Sequence, residues 1–165
     1  MLLLNDAYVT LQKMRKQIKR KSGKRGPVKA KKVSVDGIDF ASGLEKYMYT
    51  VLKENKLFDM YEGEVFQLIE GFAFENTSIE KQGNGKGDYI NRGEKKIQGI
   101  KYTPDFSSYD YIIETKGRAN ERFPMVWKLF KRWLTNNKDT RSIYKPSNQL
   151  TCNETIRLIL EKRNA

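Results

Sequence analysis

Asp105, Glu114, Thr115 and Lys116 are the residues whose types and spacing could do chemistry in this chain. They fall in two short runs, Tyr102-Thr103-Pro104-Asp105-Phe106 and Ile113-Glu114-Thr115-Lys116-Gly117. Read as strand, 109–116 alternates: Tyr109, Tyr111, Ile113 and Thr115 point one way, and Asp110, Ile112, Glu114 and Lys116 the other. A carboxylate and an ammonium are then neighbours at i and i+2. Pro104 denies the preceding segment a ladder donor and suits an edge or a bulge. If the chain turns back through Ser107 and Ser108, Asp105 approaches Glu114 and Lys116. Two carboxylates and a lysine make a hard-oxygen cation site beside a group that orients or deprotonates water, as metal-assisted phosphodiester cleavage requires. The competing reading is three ordinary charges near strand ends, since a short motif of this form also arises by chance.

Composition narrows the chemistry. The chain of 165 residues carries 32 Lys and Arg against 20 Asp and Glu, a net charge of +12, and no histidine. That balance calls for a polyanionic partner, a nucleic acid or an anionic membrane surface. Without histidine, hydrolysis must run on carboxylates, lysine and an oxygen-seeking ion, magnesium or manganese. The lone Cys152 allows neither an intrachain disulfide nor a cysteine-rich zinc site and fits a reducing compartment. No apolar run reaches the roughly 18 residues of a membrane span, and Asn5 and Asp6 interrupt Met1-Leu2-Leu3-Leu4. The expectation is a soluble, cytoplasmic protein that does not enter a membrane.

The elements that must position these residues are legible in outline. Residues 4–21 read as a helix with Leu4, Ala7, Leu11, Met14 and Ile18 at heptad spacing, packing on the body or a partner chain, or ordering on DNA. From Lys13 to Lys32 there are eleven Lys and Arg and no acidic residue. Lys16, Lys19, Arg20, Lys21, Lys24 and Arg25 are the candidate phosphate contacts of this arm. Val33, Val35 and Ile38 around Asp36-Gly37 signal strand and turn. Ser42-Gly43-Leu44-Glu45 opens a helix to about Asn55 with Leu44, Tyr47, Met48, Val51 and Leu52 inward. Taken alone, these four residues read as a capping box in which Glu45 reaches back to the Ser42 amide.

Phe58 to Tyr61 lead into 65–74, which reads as strand with a bend at Gly71, and 77–99 as a hairpin excursion. That excursion is either a plain surface insertion or a DNA-contacting flap carrying Lys81, Lys86, Arg92, Lys95 and Lys96. Pro124 suits N1 of a helix to Leu134 or Asn136 with Val126, Leu129, Phe130, Trp133 and Leu134 inward. Lys128, Lys131 and Arg132 lie on its outer side, solvated or facing phosphates. Arg141 to Lys145 reads as a short strand ending at Pro146. Asn153 reads as the N-cap of a last helix burying Ile156, Ile159 and Leu160.

The runs Y-T-P-D-F and I-I-E-T-K-G, with eight residues between Asp105 and Glu114, resemble the signature of the PD-(D/E)XK nucleases. Within them the chain is most similar to the phage endodeoxyribonuclease I type of Holliday junction resolvase, over about Phe40 to Gly117. The resemblance implies an α/β, restriction-endonuclease-like mixed sheet flanked by helices, preceded by a basic N-terminal helical arm. Residues 1–32 would be the arm and 33–165 the nuclease domain. It also gives Glu45 a second reading, because those resolvases carry S-G-L-E at the start of their first core helix and its Glu completes the metal site. The implied catalytic set is Glu45, Asp105, Glu114 and Lys116, with Glu45, Asp105, Glu114 and the Thr115 carbonyl holding Mg2+ or Mn2+. The implied activity is endonucleolytic cleavage of branched DNA by a homodimer, in the host cytoplasm if the chain is phage-encoded.

Two departures bear on substrate, namely the long basic region before Phe40 and the size of the 77–99 insertion. A phage or restriction-type nuclease without junction preference would use the same residues. A non-catalytic nucleic-acid-binding or virion-associated protein on a nuclease scaffold is the alternative from another class.

Overall fold

The computed structural model describes residues 32–81, 83–91, 93 and 96–165. The arm's candidate contacts Lys16, Lys19, Arg20, Lys21, Lys24 and Arg25, and the heptad stripe Leu4 to Ile18, lie outside the described residues. The chain runs β1 (Val33–Val35), β2 (Ile38–Phe40), α1 (Gly43–Glu54), β3 (Met60–Tyr61), β4 (Phe66–Ile69), β5 (Phe72–Ala73), β6 (Ile79–Glu80) and β7 (Ile90–Asn91). It continues with β8 (Lys96–Ile97), β9 (Ile100–Tyr102), β10 (Phe106–Ser107), β11 (Tyr111–Ile113), α2 (Phe123–Asn136), β12 (Ser142–Tyr144) and α3 (Gln149–Asn164).

The first hairpin forms where the sequence supplies two residues for left-handed backbone. Asp36 (φ 53°) and Gly37 (φ 78°) are the two-residue turn between β1 and β2, a geometry that favours Asp-Gly. Asp36 then fastens the hairpin to α1, accepting hydrogen bonds from Tyr49 Oη at 2.7 Å and Lys53 Nζ at 2.6 Å. The α1 helix starts at its Ser42 cap, whose Oγ accepts from Glu45 N at 3.2 Å. It buries Met48, Tyr49, Val51 and Leu52.

The central sheet has the order β12-β11-β10-β3, with β10 antiparallel to both its neighbours and β11 parallel to β12. A parallel pair needs a crossover, and α2 supplies it. All three residues of β11 are buried because both faces of the sheet are covered. Tyr111 and Ile113 join Phe40, Met48, Leu52, Phe106, Ile156 and Ile159 on the α1 and α3 side. Ile112 joins Phe66, Tyr102, Phe130 and Leu134 on the α2 side. Fully burying such a side chain contributes about 1.5–3 kcal/mol, so this strand is held from two directions. The described residues thus form a mixed α/β fold with a mixed sheet and three helices. None of these helices is long and apolar enough to cross a membrane.

Several expected boundaries move. The strand expected over 109–116 is only Tyr111–Ile113, because Ser108 N donates to Tyr111 O at 2.9 Å and closes a tight turn around Tyr109 and Asp110. The segment 65–74 is two strands, interrupted at Gly71, where a Cβ would stand 3.0 Å from the Ile97 carbonyl oxygen of the opposing strand. The excursion also begins earlier than Thr77. Nested antiparallel pairs β4·β9, β5·β8 and β6·β7 make a two-stranded ribbon rooted at Phe66 opposite Tyr102. Met60–Tyr61 is a strand of the central sheet rather than a lead-in.

Phe123, not Pro124, opens α2, with the Phe123 amide donating to Asn120 Oδ1 at 2.9 Å. The last helix starts at Gln149 under an Asn148 cap, not at Asn153. Asn148 Oδ1 accepts from Thr151 N at 2.9 Å, and Thr151 Oγ1 accepts from Asn148 N at 3.0 Å. Both residues can make these local bonds, and the reciprocal pair with Thr151 selects Asn148. Asn153 lies inside the helix and accepts from Tyr47 Oη at 3.1 Å.

Candidate active site

Asp105 and Glu114 meet where β10 and β11 come apart. The pairs Phe106–Ile113 and Ser107–Ile112 extend in register to Asp105 opposite Glu114 and Pro104 opposite Thr115. Because Ser108–Tyr111 is a hydrogen-bonded pair, Phe106–Ile113 and Pro104–Thr115 are of the same kind, and Asp105–Glu114 is of the closer, non-bonded kind. Like charges directly opposite one another destabilise a sheet. Pro104 has no N–H to give, so the Thr115 carbonyl, in a residue only 6% exposed, has no donor among the described residues. The Thr115 amide turns away from the ladder. Together with its own Oγ1 it donates to Asp105 Oδ2, both at 2.6 Å. Asp105 Oδ1 receives no hydrogen bond from the described residues.

Glu114 is buried at 5% exposure and held at both oxygens. Tyr102 Oη donates to Oε2 at 2.9 Å, and Lys116 Nζ approaches Oε1 at 3.2 Å. Burial and repulsion from Glu114 raise Asp105 to about 7, and the charge of Glu45 adds to this, while the two Thr115 hydrogen bonds act the other way. Glu114 is raised as well, chiefly by burial. Tyr102 and Lys116 oppose that shift, and Glu45 adds to it. Three carboxylates thus act on one another with one nearby ammonium, an acidic spot within a chain of net charge +12.

Glu45 stands differently. Its Oε2 accepts from Ala41 N at 2.9 Å and Tyr61 Oη at 2.8 Å, and its Oε1 from Ser42 Oγ at 2.7 Å. The reach-back bond goes to the Ala41 amide instead of the expected Ser42 amide, and the cap is otherwise as the sequence reads. Among the described residues no group of three or more His, Cys, Asp or Glu gathers closely enough to hold a metal ion. The cap ties Glu45 to the start of α1. Asp105, Glu114 and the Thr115 carbonyl nevertheless fit a hard divalent cation. They offer oxygen donors, an undonated carbonyl, an undonated Oδ1 and uncompensated negative charge.

Sequence reasoning missed Tyr102 and Tyr61, the phenols that orient Glu114 and Glu45. Burial pushes both phenols far up, with their carboxylate partners adding to the shift. In the sequence Tyr102 is only a flank of Asp105; its contact spans twelve residues and carries no local signal. Lys128, Lys131 and Arg132 are exposed on α2, as expected, away from its buried Phe130 and Leu134.

Residues 25–147 match the family described as "Protein of unknown function (DUF1064)". The chain belongs to that family. The matched span contains Glu45, Asp105, Glu114, Thr115 and Lys116 and stops just before α3. No curated protein matches the chain, and no solved structure does.

Proposed function

We propose that this chain is a magnesium- or manganese-dependent DNA endonuclease of the PD-(D/E)XK type, built on a restriction-endonuclease-like fold and selective for four-way or otherwise branched DNA. The observation that carries the reading is the facing pair Asp105 and Glu114, with Lys116 on Glu114 and the undonated Thr115 carbonyl beside them. Asp105, Glu114 and that carbonyl would hold the ion, which when bound supplies charge to screen the phosphate and acidity to its water.

The chain's own residues do the rest. Tyr102 fixes Glu114 through its hydrogen bond to Oε2. Thr115 fixes Asp105 Oδ2 through two donors and leaves Oδ1 available. Lys116, steered by Glu114 and by the Phe123 ring 4.9 Å from its Nζ, presents a positive charge where negative charge grows on a phosphate oxygen. Glu45 adds negative charge from the α1 side and holds the start of that helix. Symmetric cutting of two strands requires two such sites related by a two-fold axis, so the working form is a homodimer.

The deciding experiment incubates the protein with a four-way junction, a linear duplex and single-stranded DNA in magnesium and in EDTA. The expected result is magnesium-dependent cleavage, fastest on the junction and lost in Asp105→Ala and Glu114→Ala, with DNA binding in EDTA retained. Cleavage by Asp105→Ala within a few-fold of wild type would remove the site assignment.

A further inference from the structure

The parallel ladder continues past the end of β11 and β12. Glu114 N donates to Tyr144 O at 3.0 Å, and Lys116 N to Pro146 O at 2.9 Å. With Ile113 paired to Tyr144, this sets Lys145 in register with Glu114. Register partners on neighbouring strands send their side chains to the same face. The Lys145 ammonium stands 5.7 Å from the centroid of the Phe123 ring, the same buried ring that lies 4.9 Å from the Lys116 ammonium. Two cations therefore converge on one aromatic seat beside the facing carboxylates, and the ring face attracts both.

Their partners differ. Lys116 is bound to Glu114, whereas Lys145 is exposed and has no carboxylate within ion-pair distance among the described residues. Two ammonium groups on one ring repel each other, a cost that an anion between them removes. The helices α2 and α3 both begin just beyond this strand end with no acidic residue in their first turns, so their partial positive ends add to the same field. Of the two cations at this ring, Lys145 is the one left to take an anion from solution.

We propose that Lys145 binds a backbone phosphate of the DNA strand presented to Asp105, Glu114 and Lys116, as a positioning residue that holds the strand without taking part in the chemistry. The identity of the anion rests on the nuclease reading above. A lysine that neutralises one phosphate adds about 0.9 to the salt slope of log affinity, and its loss weakens binding alike for all sequences. A contact to a phosphate that does not react serves ground state and transition state equally, so it acts on KM and leaves kcat alone.

The test uses the full chain with Lys145→Ala and Lys145→Arg. Fluorescence anisotropy with a labelled duplex and a labelled four-way junction, in EDTA over a series of KCl concentrations, gives the slope without any metal. Lys145→Ala is expected to flatten the slope by about 0.9, and Lys145→Arg to restore it. With magnesium, Lys145→Ala should raise KM by about tenfold, as a lost uniform contact of roughly 1.4 kcal/mol would, with kcat within twofold. An unchanged slope in Lys145→Ala, or an Arg variant as defective as Ala, overturns the proposal. The two readings fail separately. A wild type that cleaves nothing while Lys145→Ala still flattens the slope ends the nuclease reading and keeps the phosphate contact. Cleavage with an unchanged slope does the reverse.

Discussion

Replacing Asp105 by Asn should stabilise the metal-free protein while abolishing cleavage, and the size of the gain should depend on pH. Asp105 is half-buried opposite Glu114, and burial with that repulsion lifts it from 3.8 to about 7. A group whose folded pKa lies above its unfolded value binds more protons in the native state between the two values. Stability is therefore full below about pH 4 and is lost as pH rises toward 7. At 1.36 kcal/mol per unit the full effect is about 4 kcal/mol, an upper bound because Asp105 keeps part of its surface in water. Asn retains an oxygen to accept from Thr115 N and Oγ1 and carries no charge.

Urea unfolding in EDTA should show Asp105→Asn more stable than wild type by about 1–3 kcal/mol at pH 8, with little difference at pH 4. Glu114 is raised in the same sense, so a residual slope should survive in the variant. Magnesium should raise the wild-type melting temperature at pH 8, since a ligand at a hundred times its Kd adds about 2.7 kcal/mol, and should do much less for the variant. A variant less stable than wild type at pH 8, or a gain equal at both pH values, would refute the account of the facing carboxylates.

Lys116→Ala should lower the cleavage rate by roughly 10²-fold or more with little change in magnesium affinity, the scale for one positioned group at developing charge; full recovery at high magnesium would make its role structural. Glu45→Gln should cost about 1–2 kcal/mol in thermal unfolding, because the amide keeps one acceptor for the three donors of the cap, and should slow cleavage far less than Asp105→Asn. Equal loss in the two variants would show that Glu45 leaves its cap partners to join the ion. Deleting residues 1–32, whose last twenty carry eleven positive charges, should weaken DNA binding at moderate salt and flatten the salt slope by several units. An unchanged slope would end the role of that segment in binding DNA.

What the sequence by itself determined lies within a few residues of each signal. Asp36-Gly37 makes its turn because both residues tolerate left-handed backbone, and Ser42 caps α1 because its hydroxyl reaches the Glu45 amide one turn on. The Tyr111-Ile112-Ile113 run is strand, as its residue types favour, and Pro104 opens the ladder beside Asp105 by lacking a proton to donate. The turn and the cap act within three residues, and residue type and spacing carry them. The cap of α3 is local too, since Asn148 has Thr151 three residues on in return, and tertiary structure added only the Tyr47 bond to Asn153 across the α1–α3 contact. Tertiary structure placed Tyr61 on Glu45, Tyr102 on Glu114 and Lys145 beside Lys116 at the Phe123 ring. The pairing of β11 with β12 sets Lys145 beside Lys116, and β3 brings Tyr61 in through its pairing with β10. Register between distant strands is set by which faces can be buried together, a balance over the whole core that no local run of residues records.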